Sequence, residues 1–256
     1  MISDVFAIDT HTHINHGSEF DSAKDSLIYD ATLDYIKKMN DAAKIKLMFA
    51  STFSSVLTTK EVEKENIYMQ KLAESTDYLY QWVVIDPRND NTFLQADEML
   101  KGKKCVGIKL HPPYHQYTLK KFGDKLFSYA NEKHAIVQIH PETDASYILE
   151  FANKYKNATF IMAHVGSYGE SSYADAIEFS KHGNVYVDTS GSASTRNKII
   201  EYTVERVGSE KILFGTDTYA VGFQRGRIEY SLIPEKDKEN ILFRNASKLF
   251  FENKPF

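Results

Sequence analysis

The chain has 256 residues, a formal net charge of −4, 42% hydrophobic residues and one cysteine, Cys105. That length suits a single α/β barrel, which typically needs roughly 250 residues, and the hydrophobic fraction excludes disorder. Charges of mixed sign argue against a polyanion or a membrane surface as partner, and a lone cysteine excludes an internal disulfide and a thiolate-rich metal cluster. Any metal must therefore be held by imidazole and carboxylate. No basic segment followed by an apolar core opens the chain, and no apolar run approaches ~18 residues, so a soluble, cytoplasmic protein is expected.

The first apolar run, near residues 5–10, leads into Ile8-Asp9-Thr10-His11-Thr12-His13. Strand side chains alternate faces, so His11 and His13 point the same way, with imidazoles close enough to grip one ion. Asp9 is expected on that same face, orienting a ligand from behind. An amphipathic stretch near 25–43 follows, with Leu27, Leu33, Ile36 and Met39 broadly on one side. Further strands are predicted near 45–50, 79–85, 105–110, 135–139, 158–163, 184–188 and 211–215. Several lack alternation, as strands covered by helices do. Helices are predicted between them near 60–75, 92–102, 120–133, 144–155, 172–182 and 195–208, and a last one near 236–251 carries a stripe of Ile241, Leu242, Ala246, Leu249 and Phe250. No linker, repeat or low-complexity tract divides the chain. The pattern predicts one domain over 1–256, a (β/α)8 TIM barrel, with the longer connections 14–24, 51–59, 112–119 and 216–235 building the pocket.

Chemistry-bearing residues recur where the apolar runs end. His111 closes Cys105–Leu110, His140 closes Ala135–Ile139, His164 closes Phe160–Ala163, and Asp217 follows Lys211–Thr216. In such a barrel the strand C-termini form the active face, so His11, His13, His140, His164 and Asp217 are expected there together. Zinc is the expected divalent metal, since it accepts imidazole and carboxylate and keeps a position open for water, whose pKa it lowers to about 7. Lys109 shares the inward face with His111. Both are expected to bind substrate, with a carbamylated Lys109 bridging two metals, or a paired interior lysine, as the alternatives. Arg225 and Arg227 are cationic candidates for an anionic substrate, against the plainer reading of exposed loop arginines. Asp188 is a candidate hydrogen-bond partner behind the ligands; His134 and His182, at helix C-terminal regions, are read as structural, His115 as a solvated rim-loop histidine within reach of substrate, and His16 follows no strand-end pattern.

Five stretches carry a resemblance: Ile8–His13, Gly107–Pro112, Ile139–Pro141, Ala163–Gly166 and Phe214–Asp217, joined by the C-terminal Asn240–Ala246. Together they resemble the amidohydrolase superfamily, in its amidohydrolase-related branch of hydrolases, lactonases and decarboxylases. The resemblance implies His11, His13, His140 and Asp217 as metal ligands and places His164 against the water or the reacting carbonyl. It also implies that Asp217 takes the water's proton and passes it to the leaving group, with the metal and His164 stabilising the oxyanion. A related deoxyribonuclease-like branch would have a glutamate where strand four ends. Lys109 and His111 stand there instead, so nucleic acid is not expected as substrate. The aspartate-x-histidine pattern of the polymerase-and-histidinol-phosphatase type is missing.

The expected function is metal-dependent hydrolysis of an amide, ester or lactone bond in a small, anionic molecule. The rivals are non-oxidative decarboxylation of a small unsaturated or aromatic acid on the same site, and a non-catalytic metal-holding barrel. The small molecule is the expected partner; whether identical chains assemble is left open.

Overall fold

The computed structural model describes residues 2–142, 146–166, 169–191 and 195–252. Eight parallel strands follow one another around a sheet in sequence order: β1 (Ala7–Ile14), β2 (Ile45–Thr52), β3 (Leu79–Val84), β4 (Cys105–Leu110), β5 (Ile136–Ile139), β6 (Thr159–Met162), β7 (Val185–Asp188) and β8 (Ile212–Leu213). The Thr10 N–H donates to the Phe214 carbonyl at 2.9 Å and the Asp217 N–H to the His11 carbonyl at 2.7 Å, which brings β8 back to β1. The result is a (β/α)8 TIM barrel. Its helices are α1 (Leu33–Ala42), α2 (Phe53–Leu57), α3 (Val62–Glu74), α4 (Asp90–Met99), α5 (Pro112–His115), α6 (Leu119–Glu132), α7 (Ser146–Lys154), α8 (Gly169–Phe179), α9 (Ile199–Val207) and α10 (Val221–Glu229). A closing helical segment over 235–252 alternates α and π turns. No described helix is long and apolar enough to cross a membrane.

Two apolar layers and one polar layer position the site. Outside the strands, Val83, Ile108, Val137, Phe160, Val187 and Phe214 pack under the helices. Inside, Ile8, Phe49, Trp82, Val106, Ile136, Ile161 and Leu213 plug the N-terminal end of the barrel, with Phe250 closing it from below. Above that plug the interior is polar: His11, Lys109, Gln138 and Asp188 are all buried.

Two irregularities decide which side chains enter this polar layer. On β1, Asp9 pairs with Met48 but Thr12 pairs with Ala50, so three steps on one strand face two on the other. Ile8 points into the barrel, and strict alternation would send His11 and His13 outward. The extra residue reverses the phase and turns both inward. It also leaves the Thr10 carbonyl facing the interior, where Trp82 Nε1 and Gln138 Nε2 each donate to it at 3.0 Å. On β4, Gln81 faces Cys105 while Trp82 faces Gly107, so Val106 is the extra residue and Lys109 ends up inside.

Three boundaries differ from the sequence expectation. β1 runs to Ile14, so His11 and His13 lie within the strand. The first helix begins only at Leu33, and Leu27 is fully exposed. Asp21 explains the longer loop, because its carboxylate accepts from the N–H groups of His16, Gly17 and Ser18 and from the Ser54 hydroxyl, an alternative to helical bonding. The connection 216–235 contains α10, and the predicted helix start at 144 lies outside the described residues.

Candidate metal centre

His11 and His13 reach the centre from the end of β1, and Asp217 from the turn after β8. His11 Nε2 and His13 Nε2 are 3.3 Å apart, and Asp217 Oδ1 lies 3.5 Å from the first and 3.4 Å from the second. Ligand atoms about 2.0–2.2 Å from a tetrahedral ion sit roughly 3.3–3.6 Å from one another. The three atoms thus have the spacing of one face of such a tetrahedron, and together they could hold a metal ion.

Each of the three is fixed from behind. His11 Nδ1 donates to Asp188 Oδ2 at 3.0 Å, and His13 Nδ1 lies 2.9 Å from Ser51 Oγ. Metal-binding histidines are commonly oriented in this way. Asp217 and Thr218 adopt left-handed backbone, φ 56° and 65°, a strained conformation for a threonine. The turn is tied to β1 through Thr218 Oγ1, which accepts from the His13 N–H at 2.7 Å and donates to the His13 carbonyl at 2.6 Å.

Burial lowers the basicity of these rings. It pushes the His11 pKa down to about 4, with the nearby Lys109 charge acting in the same direction. His13, His111 and His140 are also held well below the usual imidazole range, first by burial and then by neighbouring cations. Neutral rings are what a metal requires. Asp188 goes the other way. Burial would raise it, but His11 and hydrogen bonds from the His11 and Ser190 side chains keep it below the usual carboxylate range.

The other predicted residues separate into those near this triangle and those away from it. His164 follows β6 in a turn with φ 59°, and its ring lies 4.8 Å from that of His11. His140 is not within the three-atom group: its Nδ1 is 3.2 Å from His164 Nε2, and its ring stacks on His111 at 4.0 Å. Lys109 is fully buried, with Nζ donating to His11 Nε2 at 2.6 Å and to Gln138 Oε1 at 3.0 Å. It therefore lies beneath the ligand and addresses the same lone pair a metal would take. Burial pushes its pKa down to about 8.

Two expectations are corrected. Asp9 does not share the face of His11 and His13, because the bulge separates them. Its carboxylate accepts from the His11 and Thr216 N–H groups and from the Thr216 hydroxyl, sealing the β1–β8 seam. Arg225 is not brought to the centre. α10 runs back down the barrel and carries its Nη2 to the carbonyls of Ile2 and Val5, ahead of β1, with Glu229 3.6 Å from its Nε. Arg227 pairs with Glu201.

Ser51, Gln138 and Ser190 were not anticipated. The strand period carried a signal for the last two: Gln138 stands two residues before His140, and Ser190 two after Asp188. Aromatic rings border the approach to the centre, with Phe53 5.1 Å from His13, Tyr114 4.8 Å from His111, and Tyr29 5.6 Å from Tyr219.

The family model described as amidohydrolase matches residues 8–251. The chain belongs to the amidohydrolase family. Among solved structures, it is similar to an amidohydrolase from Burkholderia multivorans with bound HEPES (TM-score 0.74, 13% identity, covering 96% of this chain and 99% of that one). It is also similar to a dihydroxybenzoic acid decarboxylase from a Polaromonas species with bound manganese and 2-nitroresorcinol (TM-score 0.68, 16% identity, 98% of each chain). A third is a proposed 2-pyrone-4,6-dicarboxylic acid hydrolase from Pseudomonas putida (TM-score 0.72, 16% identity, 98% and 99%). At these identities the shared property is the fold. No curated protein matches the chain. The family is one of metal-dependent enzymes, and among the described residues His11, His13 and Asp217 could hold a metal ion.

Proposed function

We propose that this amidohydrolase cleaves an amide, ester or lactone bond of a small molecule by metal-assisted hydrolysis. One observation carries the reading: His11 Nε2, His13 Nε2 and Asp217 Oδ1 stand at tetrahedral spacing, and of these three side chains Asp217 is the one partly open to solvent, at 17%. Zinc is the proposed metal because its preferred donors and geometry match this set. When bound, such an ion polarises a carbonyl and eases deprotonation of water near neutral pH.

The chain's own groups have separate tasks. His11 and His13 would bind through Nε2, with Asp188 and Ser51 holding their other nitrogens, and His140, from the end of β5, is the proposed fourth protein ligand, so that water would enter as a fifth. Asp217 has a second oxygen, Oδ2, to accept the attacking water's proton and deliver it to the leaving group. His164 lies beside the reacting group and orients the attacking water through Nε2, a hydrogen-bond acceptor. His111 and Tyr114 bind substrate at the rim. Lys109 acts on His11 rather than on substrate, and Arg225 has no part. The substrate's charge, for which Arg225 and Arg227 are the cationic candidates, is not part of the proposal, since both are engaged away from the centre.

The test is metal analysis of the purified protein, then a screen of lactones, esters, amides and aromatic carboxylic acids with zinc or manganese. A new titratable group without CO2 supports hydrolysis. Release of CO2 would replace it with decarboxylation, the reaction named for the Polaromonas structure, and turnover of none of these would overturn the proposal.

A further inference from the structure

Asp188, fully buried at the end of β7, accepts from three groups that can only donate: the N–H groups of His164 and Ser190, each at 3.1 Å, and Gln138 Nε2 at 3.2 Å. A carboxylate loaded in this way has no proton to offer. The Ser190 hydroxyl, in close contact with Asp188 Oδ1, therefore directs its single hydrogen there. Ser190 Oγ is then left with two lone pairs, and two ring nitrogens face them: His11 Nδ1 and His164 Nδ1, each at 2.9 Å. Both must arrive as N–H, and the count of donors and acceptors closes.

The two rings are not held equally. His11 Nδ1 also donates to Asp188 Oδ2 at 3.0 Å, a charge-assisted bond that survives without the serine. His164 Nδ1 has, beyond the hydroxyl, the Ser190 carbonyl at 3.2 Å. Local backbone serves the same contact. Gly191 sits at φ +66°, and a Cβ there would come 2.9 Å from His164 Nδ1.

We propose that Ser190 is a positioning residue for His164: its hydroxyl holds that ring as the Nδ1–H tautomer and so turns the Nε2 lone pair toward His140. His164 Nε2 is 3.2 Å from His140 Nδ1. An unprotonated Nε2 makes His140 the donor in that pair, which puts the His140 lone pair on its own Nε2, the atom it would offer a metal. One serine thus sets the tautomer of a ring that faces the reaction and, through it, of a proposed ligand. The tautomers follow from hydrogen bonding alone. Only the consequence for turnover rests on the role given to His164 above.

Histidine-15N-labelled protein, zinc-loaded and metal-free, is examined by long-range 1H–15N correlation at about pH 8, above the ordinary imidazole range. His164 and His140 are expected as Nδ1–H. In Ser190→Ala, His164 becomes a mixture of tautomers while His11, still on Asp188, is unchanged, and Ser190→Thr restores the wild-type pattern. An Nε2–H tautomer at His164 in the wild type overturns the inference, even if the alanine variant does not fold. So does a wild-type His164 signal in Ser190→Ala. In the same variant, assayed at saturating zinc, kcat should fall roughly 10–100-fold. A changed tautomer with unchanged kcat would remove His164 from the reaction and leave the tautomer assignment standing.

Discussion

Asp217 and Lys109 compete, in effect, for the character of His11. The Asp217 Oδ1 edge completes the ligand triangle, and its removal as a base without loss of shape is available through Asp217→Asn. That variant should fold normally and lose turnover by ~10²–10⁴-fold, the usual contribution of a positioned base. Circular dichroism and steady-state kinetics on the zinc-loaded variant check it, and wild-type kcat at full metal content would take Asp217 out of the mechanism. Lys109 presents an ammonium to the lone pair that a metal needs. With its pKa pushed down to about 8 by burial, about a tenth of it is neutral at pH 7. Apparent metal affinity is reduced by the fraction of competent state. Lys109→Met removes the competing proton and keeps the apolar stem, so zinc should bind about tenfold more tightly at pH 7 in a chelator-competition assay. Weaker binding would show that the amine itself supports the metal.

At the scale of the element, a strand in this barrel is a phase as much as a length. The bulge on β1 carries His11 and His13 inward, and the bulge on β4 does the same for Lys109. Gly107 makes the second possible. A Cβ there would lie 2.3 Å from the Ile136 carbonyl oxygen and 2.7 Å from the Trp82 ring, and neither a strand carbonyl nor a buried indole can yield cheaply. Gly107→Ala should destabilise the fold by about 1–3 kcal/mol or more, as overpacking does. Urea unfolding with an unchanged m value and a lowered midpoint is the expected result. A midpoint equal to wild type would mean that β4 can shift without cost and that Lys109 is not locked in place by this packing.

For the whole molecule, gathering neutral imidazoles in one buried layer couples stability to pH. The folded pKa values of His11, His13, His111 and His140 are lowered, chiefly by burial, while the unfolded chain keeps ordinary values near 6.5. Below about pH 6.5 the unfolded state therefore binds more protons than the folded one, and stability falls on acidification. The contribution is present in full above that pH and is lost progressively toward the folded values, about 4 for His11. Each group contributes up to ~1.4 kcal/mol per pH unit. Metal-free protein should show its urea midpoint dropping between pH 7 and pH 5 with a slope that shrinks in His111→Gln. A midpoint flat across that interval would show that these rings are protonated in the folded state.

What the sequence by itself determined is the barrel and the rim at which its histidines and Asp217 gather. Parallel strands buried on both faces read as short apolar runs, and a histidine or aspartate closing one run after another marks a common rim, so the eight units and the candidate group His11, His13 and Asp217 were legible in the chain alone. The phase of those side chains was not. Alternation counted from His13 puts Asp9 on the ligand face, and only pairing with β2 reveals the extra residue that removes it. Of the groups that orient the ligands, Asp188 was legible as a candidate but not its partner, which it meets across a separation of 177 residues, and Ser190, which meets His11 across 179, was not legible at all. Arg225 looked like a rim cation until α10 was seen to descend, and Leu27 looked like a core residue until Asp21 was seen to hold its loop open. Periodicity is a property of neighbours along the chain and survives in a linear text. Bulge phase, hydrogen-bond partners and helix direction depend on which distant backbone groups must satisfy one another, and that is settled only when the sheet closes.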